Sequence, residues 1–279
     1  MDAGPPPLPP RGHTLRALLE AAGEASMRHF GGGDPRRKAD GSWLTDADLA
    51  AEAVLLEAIH RGWPEDTILS EERGAIPGRP DARWVVDPLD GTSAFTEGLA
   101  HWGPAVARLV RDGADERVDF GAIYLPRLRE HFYVEGGVGW FNGTALPPLD
   151  AKTIPRVLYL PSAFHRYFNV AFVGKARCLG GTAAHLALVA RGSALAAIVA
   201  PGWSIWDTAA GLALIEAVGG RALRLPQLGQ GPAPLDPFRD TGAAFIAGEA
   251  SAVAELASLG RVAPISLISE GAGHGRTGR

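Results

Sequence analysis

The residues most suggestive of chemistry stand in one run, Trp84-Val-Val-Asp-Pro-Leu-Asp-Gly-Thr92. An apolar segment leads to Asp87, Pro88 prevents that segment from continuing as a strand, and Asp90 follows on a tight turn. The two carboxylates are therefore expected to converge. A hard divalent cation such as Mg²⁺ prefers oxygen ligands, so these carboxylates and the Leu89 carbonyl oxygen predict a metal site.

The residues that follow Asp90 suit an anion next to such a metal. Gly91 leaves room for close approach, and the backbone N–H groups of residues 91–93 would point free donors at an anion if a helix begins there. This combination fits a phosphate group. Taken alone, the run fits an ordinary turn with a helix cap equally well.

Other segments extend this local pattern. Residues 84–95 match the first signature of the inositol monophosphatase superfamily throughout, and residues 206–220 match the second, which places its aspartate at Asp207. Two lesser landmarks occur in order, Glu71-Glu72 after a predicted strand and Gly181-Thr-Ala-Ala184 at a predicted helix start. The chain therefore resembles this superfamily of Mg²⁺-dependent, Li⁺-sensitive phosphatases over most of residues 38–220.

The resemblance implies a set of metal ligands. One ion would be held by Glu71, Asp87 and the Leu89 carbonyl oxygen, and a second by Asp87, Asp90 and Asp207. Two ions would then flank the scissile phosphate, one activating water and the other steadying the leaving oxygen. Glu72 is interpreted as a solvated neighbour of Glu71, with a supporting role in a third metal site as the alternative. The resemblance thus implies two or three Mg²⁺ ions per active site.

The resemblance also implies catalytic and phosphate-binding residues. Thr92 and Asp48 would form a hydrogen-bonded pair next to the nucleophilic water and assist as a general base, with Glu71 as a further catalytic residue. The N–H groups of Gly91, Thr92 and Ala183 would hold phosphate oxygens. Lys38 resembles part of the loop that closes over the family's site, although Arg36-Arg37-Lys38 is equally consistent with a solvated run of charges.

The substrate is less well defined than the reaction. Inositol-specific relatives carry a glutamate seven residues before the second-signature aspartate, whereas this chain has Ala200 there. The leaving group is therefore expected to be less hydroxylated than inositol or to be held by other residues. Relatives act on inositol phosphates, histidinol phosphate, fructose bisphosphate and 3′-phosphorylated adenosine nucleotides, and the sequence selects none of them. The expected function is Mg²⁺-dependent hydrolysis of a small phosphate monoester by metal-activated water.

Two other functions share parts of this pattern. A phosphatase of the haloacid dehalogenase type uses a strand-end Asp-x-Asp and forms an aspartyl phosphate, but Asp87 and Asp90 are three residues apart and do not fit that spacing. A non-catalytic regulator that binds a phosphorylated ligand would normally have lost metal carboxylates. Here Glu71, Asp87, Asp90 and Asp207 all persist.

Composition limits the remaining possibilities. The formal net charge of −4 argues against a nucleic-acid partner, which would require a basic surface. The single cysteine, Cys178, cannot form an internal disulfide, and this favours a cytoplasmic location. No run reaches the ~18 apolar residues of a membrane span, so no membrane association is predicted. The predicted partner is a small phosphorylated substrate, and the resemblance allows a homodimer.

The elements that must position these residues follow from periodicity. Helical spacing predicts helices at 13–30, 46–62 with Thr45 as its cap, 182–190 and 206–218, whereas β-like runs occur at 67–70, 83–87, 104–110, 118–124, 130–135, 157–160, 194–200 and 221–225. The segment between 70 and 83 is predicted to be a surface loop. Together with the resemblance, this indicates a layered αβαβ fold of the α+β class: an N-terminal half (13–147) with a mainly antiparallel sheet and most metal ligands, a smaller α/β half (148–267) carrying Asp207, and flexible tails at 1–12 and 268–279.

Overall fold

Two large β-sheets with a pair of helices between them form the framework of this computed structural model. The structure describes residues 10–32, 35–39, 41–113, 115–225, 231–258 and 262–264. The first sheet is mainly antiparallel and the second is smaller and mixed. The predicted layered α+β fold is therefore confirmed.

The N-terminal half contains a short ribbon and an eight-stranded sheet. Its helices are α1 Pro10–Met27, α2 Asp46–Gly62 and α3 Thr92–Thr96. Its strands are β1 Arg36–Arg37, β2 Trp43–Leu44, β3 Asp66–Ser70, β4 Gly74–Ile76, β5 Arg79–Asp90, β6 Gly103–Asp112, β7 Asp115–Leu125, β8 Glu130–Glu135, β9 Val138–Phe141 and β10 Thr144–Ala145. Strands β1 and β2 pair with each other, and the others form a sheet in the order β10-β9-β8-β7-β6-β5-β3-β4. Strands β3 and β5 are parallel neighbours, whereas β5 to β10 form an antiparallel meander.

Helices α1 and α2 cover one face of this sheet. Their apolar faces bury Leu19, Leu55 and Ile59 against Trp84 and Phe120, and these side chains are at most 2% exposed. Burial of such aliphatic side chains contributes about 1.5–3 kcal/mol each before entropy is counted. This packing fixes α2 over β5, the strand that contains residues 84–90 of the first signature.

The C-terminal half supplies the second sheet. Its strands are β11 Val157–Tyr159, β12 Phe168–Val170, β13 Lys175–Arg177, β14 Ala196–Val199, β15 Arg221–Arg224, β16 Ala233–Pro234, β17 Phe245–Gly248 and β18 Val262–Pro264. Its helices are α4 Thr182–Ala190, α5 Ile205–Ala217 and α6 Ala250–Ser258, with a 3₁₀ turn at Phe164–Arg166. The sheet has the order β13-β11-β14-β17-β15-β16, while β12 pairs with β18. Strands β13, β11 and β14 are mutually parallel, so their carboxyl ends share one edge.

Helices α4 and α5 lie between the two sheets. Both contact strands of the first sheet as well as strands of the second, and α5 packs mainly on β7 and β6. One continuous core therefore includes Phe132 and Ile123 from the first half and Leu186 and Leu214 from the second. The boundary near residue 147 stays a prediction, because this core crosses it.

Several predicted bounds differ from the observed ones. Residues 10–12, predicted to belong to a tail, are helical, and the first helix ends at Met27 instead of residue 30. The predicted loop between 70 and 83 contains β4, which extends the sheet by pairing with β3. Residues 1–9 and 265–279, which include most of both predicted tails, lie outside the described residues. No helix in the described ranges is long and apolar enough to cross a membrane.

Candidate active site

Two parallel strands bring the first pair of acidic residues together. In the register of β3 and β5, Ser70 lies opposite Val86, and the N–H of Glu71 donates to the Val86 carbonyl oxygen at 3.1 Å. Glu71 therefore follows the end of one strand while Asp87 occupies the adjacent position on the next. A register shift between Asp87 and Asp90 interrupts the pairing of β5 with β6, but Asp90 pairs again with Gly103. The prediction that Pro88 ends the strand is therefore wrong, because the irregularity lets β5 continue past the proline to Asp90.

Asp87 lies at the centre of the acidic cluster. Its side chain is 2% exposed, and its Oδ1 accepts a hydrogen bond from the Leu89 N–H at 3.0 Å. Burial and the negative charges of Glu71, Asp90 and Asp207 raise the pKa of Asp87 well above its ordinary value. The structure thus brings together the acidic residues that the two signatures predict.

Asp90 joins the two halves of the molecule. Its Oδ1 accepts from the Thr182 N–H at 2.9 Å and its Oδ2 from the Ala184 N–H at 3.2 Å, both at the start of α4. Burial and the charge of Asp207 raise the pKa of Asp90 to about 7, although the backbone N–H groups favour its ionised form. The N–H of Ala183, predicted to bind phosphate, is also directed at Asp90 in this structure.

Helix α5 of the C-terminal half carries Asp207. It is the third residue of that helix, and its Oδ2 accepts from the Ser204 N–H at 2.7 Å within a capping box. Burial and the charge of Glu71 raise the pKa of Asp207 to about 6. The Asp207 carboxyl group also lies within hydrogen-bonding reach of Asp87.

Asp48 and Thr92 form the predicted pair. The Thr92 hydroxyl oxygen lies 3.1 Å from Asp48 Oδ1 and 3.2 Å from the Leu89 carbonyl oxygen, so it can donate to either. Asp48 is fully buried, and its Oδ2 accepts from the N–H and hydroxyl of Thr45 at 2.8 and 2.6 Å. Burial raises the pKa of Asp48 above its ordinary value. The capping box at the start of α2 therefore holds the carboxylate that contacts Thr92.

Gly91 and Gly181 allow the two halves of the molecule to approach each other closely next to Asp90. Gly91 has φ +84°, and a Cβ added to it would lie 2.8 Å from the Gly181 nitrogen. A Cβ added to Gly181 would lie 1.9 Å from Asp90 Oδ2. Both positions therefore require glycine, the first for its conformation and both for space.

Lys38 reaches the acidic cluster from the turn of the β1–β2 ribbon. Its Nζ donates to Glu71 Oε1 at 2.7 Å and to Glu72 Oε1 at 2.6 Å. Although burial lowers it, the hydrogen bonds and charges of these glutamates raise the pKa of Lys38 above its ordinary value. Arg36 and Arg37 instead contact Asp46 and Trp43. The Lys38 side chain therefore lies against Glu71 and Glu72 and is not part of a solvated run of charges.

The interpretation of Glu72 as a solvated neighbour of Glu71 is wrong. Its side chain is 7% exposed and pairs with Lys38. Burial raises the pKa of Glu72 to about 7, with Lys38 partly opposing this shift. The β3–β4 turn places both glutamates toward the same ammonium group, which the sequence pattern alone does not reveal.

The oxygen donors of the acidic cluster show whether a metal ion fits this site. Glu71, Asp87, Asp90 and Asp207 offer carboxylate oxygens, the donors that Mg²⁺ and similar hard cations prefer, and their mutual repulsion would be relieved by a divalent cation. No three acidic, histidine or cysteine side chains in the described residues already stand in metal-ligand geometry. Backbone N–H groups and Lys38 hold these carboxylates instead. The residues fit the metal by chemistry, and binding requires side-chain adjustment.

Glu52 contacts the site but is not among the residues predicted from the sequence. Glu52 in α2 is 4% exposed and accepts hydrogen bonds from Ser70 and Arg73, on either side of the two glutamates. Its spacing of four residues from Asp48 within an apolar helical pattern was a usable signal, because such residues share a helix face.

Known proteins resemble this chain over most of its length. A sequence model described as the inositol monophosphatase family matches residues 13–242. An inositol-1-monophosphatase of Mesorhizobium japonicum is 34% identical over 230 residues, which cover 75% of this chain and 85% of that protein. The Nus factor SuhB of Escherichia coli (strain K12) is 31% identical over 198 residues, covering 66% and 72%. The structure of an IMPase from Thermotoga maritima aligns with a TM-score of 0.76 at 24% identity, covering 93% and 98%. This chain therefore belongs to the inositol monophosphatase family, a family of metal-dependent phosphoric monoester hydrolases.

Proposed function

We propose that this chain hydrolyses a small phosphate monoester with Mg²⁺ as its metal, bound as two or three ions. The observation that carries this proposal is the meeting of Glu71, Asp87, Asp90 and Asp207 in one site, where burial and neighbouring negative charges raise the pKa values of the three aspartates. Such a cluster is costly without a cation. When bound, the metal would lower the pKa of a coordinated water and offset charge on the phosphate.

We further propose specific ligand roles. Glu71, Asp87 and the Leu89 carbonyl oxygen would hold one ion, and Asp87, Asp90 and Asp207 a second. Glu72, which shares the Lys38 ammonium with Glu71, is suited to support a third. Glu71 follows the end of β3, Asp90 is the last residue of β5 and Asp207 lies in the first turn of α5, so these three carboxylates are placed at the ends of elements.

The Asp48–Thr92 pair supports a role in proton transfer. When its hydroxyl hydrogen points to Asp48, the Thr92 oxygen can accept a proton from the attacking water, while its own proton passes to the Asp48 carboxylate. The raised pKa of Asp48 favours this acceptance. The N–H groups of Gly91 and Thr92 at the start of α3 remain proposed donors to the phosphate, with Ala183 as a third.

The leaving group is proposed to carry few hydroxyl groups. Strands β11, β13 and β14 end at the edge near Asp90 and Asp207, and the segments 160–164, 178–184 and 200–206 that follow them contain no charged residue. A polyol-binding carboxylate is therefore absent from these described segments, in agreement with Ala200. Hydrolysis of histidinol phosphate, fructose bisphosphate and 3′-phosphoadenosine nucleotides should be compared with that of inositol 1-phosphate.

A panel of phosphomonoesters with and without Mg²⁺ tests the proposal. We expect phosphate release that requires Mg²⁺, is abolished by a chelator and is inhibited by Li⁺, with Asp87→Asn as the matched inactive control. A single turnover in ¹⁸O-labelled water should place the label in phosphate; label in an aspartate would instead indicate an aspartyl-phosphate enzyme. No release from any ester of the panel would contradict the proposal.

A second candidate is a non-catalytic binding role, which the similarity to a protein named a Nus factor brings forward. Retention of the four carboxylates together with Asp48 and Thr92 favours catalysis. We also propose a cytoplasmic location and a homodimer. Light scattering coupled to size exclusion would test the second of these.

A further inference from the structure

A buried glutamate of α2 holds both ends of the turn that carries Glu71 and Glu72. The Glu52 Oε1 accepts from the Ser70 hydroxyl at 2.5 Å and from the Arg73 N–H at 3.0 Å. Glu52 is 4% exposed and Ser70 is fully buried, so water competes little for these bonds. One carboxylate oxygen therefore links α2 to the residue before Glu71 and to the residue after Glu72.

The turn itself is short and needs an external anchor. Strands β3 and β4 form a hairpin in which Ser70 pairs with Gly74, and residues 71–73 connect them. Gly74 has φ +72°, which completes the reversal. Both residues that flank the glutamates are held by Glu52, so the direction of the turn depends on α2.

Burying a carboxylate at position 52 has a free-energy cost. The neighbouring α2 residues Ala51, Leu55 and Leu56 pack into an apolar core, and burying a carboxylate there is unfavourable unless its hydrogen bonds are satisfied. An apolar side chain at residue 52 would fill the same space without that cost. The bonds to Ser70 and Arg73 are the contacts that a glutamate adds.

Glu52 lies one helical turn after Asp48 and on the same face of α2. Asp48 contacts Thr92 at the start of α3, whereas Glu52 contacts the turn after β3. Helix α2 therefore holds two separate segments of the site in register, one through each carboxylate. Since β3 and β5 are adjacent, a shift of either turn would separate Glu71 from Asp87.

We propose that Glu52 is a positioning residue for metal binding, which acts by fixing the turn that carries Glu71 and Glu72. The inference rests on the proposed function in one respect, the assignment of Glu71 as a metal ligand. It requires no role for Glu52 in contacting metal or substrate. What matters is the acceptor oxygen and not the charge, because both donors are bound by a single oxygen.

Two substitutions separate the acceptor from the charge. Glu52→Gln keeps an acceptor oxygen in a side chain of the same shape, whereas Glu52→Met keeps the volume and removes the acceptor. Binding of Mn²⁺ to the full-length protein, measured from the electron paramagnetic resonance signal of the free ion, gives affinity without requiring turnover. We expect Glu52→Met to weaken Mn²⁺ binding by about tenfold or more, as loss of an outer-shell partner usually does, and Glu52→Gln to stay within about threefold of wild type.

Ser70→Ala provides a variant that keeps Glu52 in place. It removes one of the two donors, so we expect a loss of Mn²⁺ affinity smaller than that of Glu52→Met, and it keeps the inference testable if Glu52→Met does not fold. Circular dichroism and the melting temperature establish folding for each variant. If Glu52 only stabilised the fold, Glu52→Met would lower the melting temperature but would bind Mn²⁺ as tightly as Glu52→Gln does.

The outcomes are distinct. Folded Glu52→Met that binds Mn²⁺ as tightly as wild type would overturn the inference, and so would Glu52→Gln that binds as weakly as Glu52→Met. If Glu52→Met does not fold, wild-type affinity in Ser70→Ala would overturn it. Wild-type protein that binds no Mn²⁺ would instead contradict the proposed metal site itself, so failure of the proposed function is separable from failure of this inference.

Discussion

The Asp90 carboxylate accepts a hydrogen bond from the backbone N–H of Thr182, 92 residues further along the chain, at 2.9 Å. Its second oxygen accepts from Ala184. A residue proposed as a metal ligand therefore also caps α4, one of the two helices that lie between the sheets. Because the same carboxylate serves both purposes, the catalytic and structural effects of changing it must be measured separately.

Asp90→Asn and Asp87→Asn should both lower kcat by orders of magnitude, because each removes a charged ligand. Their effects on stability should differ. An asparagine at position 90 turns an NH₂ group toward an α4 N–H, which should destabilise the metal-free protein by about 1–3 kcal/mol. Asp87 accepts one backbone bond that asparagine can keep, and losing its charge relieves repulsion from Asp90 and Asp207.

Urea unfolding in the presence of a chelator and steady-state kinetics measure these two quantities. Hydrolysis at the wild-type rate by Asp90→Asn would remove this residue from the site. An equal loss of stability in both variants would contradict the capping role of Asp90.

Gly181→Ala should impair both stability and turnover. The new Cβ would lie 1.9 Å from Asp90 Oδ2, so the carboxylate or the start of α4 must move. Gly62→Ala is the matched control, since nothing lies within 4 Å of a Cβ at that helix end. Melting temperature and kcat/KM should fall for Gly181→Ala and stay near wild type for Gly62→Ala. Equal melting temperatures and kcat/KM values for the two variants would mean that the contact between residue 181 and Asp90 tolerates a side chain.

Thr92→Ala should lower kcat by roughly 10²–10⁴, the usual contribution of general acid–base assistance. The change removes the hydroxyl that can donate to Asp48 or to the Leu89 carbonyl oxygen, while the buried Asp48 keeps its bonds to Thr45. Thr92→Ser retains the hydroxyl and should recover most of the activity. Rates for both variants at saturating Mg²⁺ test this role, and Thr92→Ser as inactive as Thr92→Ala would argue against it.

Features encoded by neighbouring residues could be predicted from the sequence. Helix α2 begins after Thr45 as predicted, because the capping box between Thr45 and Asp48 is complete within four residues. Likewise, the predicted bounds of α4 are confirmed at Thr182 and Ala190. The approach of Asp87 and Asp90 was also predicted from neighbouring residues, although the segment between them is an irregularity within β5 and not a turn after it.

Contacts between distant segments could not be predicted in this way. The bonds from Glu52 to Ser70 and from Asp90 to Thr182 depend on which strands become neighbours and in what register. The pairing of β4 with β3 was not predicted from the sequence, because Gly74 and Pro77 are typical of loops. In the structure Gly74 instead closes a hairpin. The contact of Lys38 with Glu71 and Glu72 likewise requires the ribbon to fold back over the sheet.

Lys38→Met should strengthen the binding of divalent metal. The Lys38 ammonium bonds to Glu71 and Glu72, so an ion that binds Glu71 competes with it for the carboxylate. Removing a charge-assisted hydrogen bond worth about 1.5 kcal/mol or more would raise Mn²⁺ affinity by about tenfold. Arg37→Met is the control, since Arg37 stacks on Trp43. Weaker Mn²⁺ binding by Lys38→Met would show that the lysine assists metal binding instead of competing with it.

Stability of the metal-free protein should fall as the pH rises from about 4 to about 7. Burial and neighbouring charge raise the pKa of Asp90 to about 7 and that of Asp207 to about 6, from an ordinary value of 3.8. Within that interval the folded protein binds more protons than the unfolded chain, so raising the pH favours unfolding. Mg²⁺ favours the ionised carboxylates and should cancel this dependence.

Urea midpoints measured across that interval, with a chelator and then with saturating Mg²⁺, would show the difference between the two curves. Asp87→Asn should flatten the metal-free curve, because it removes a carboxyl group whose own pKa is raised well above its ordinary value by burial and neighbouring charge. Metal-free stability that instead rises between about pH 5 and pH 7 would mean that the site already compensates these charges. In that case the repulsion among Asp87, Asp90 and Asp207 could not be what draws a divalent cation into the site.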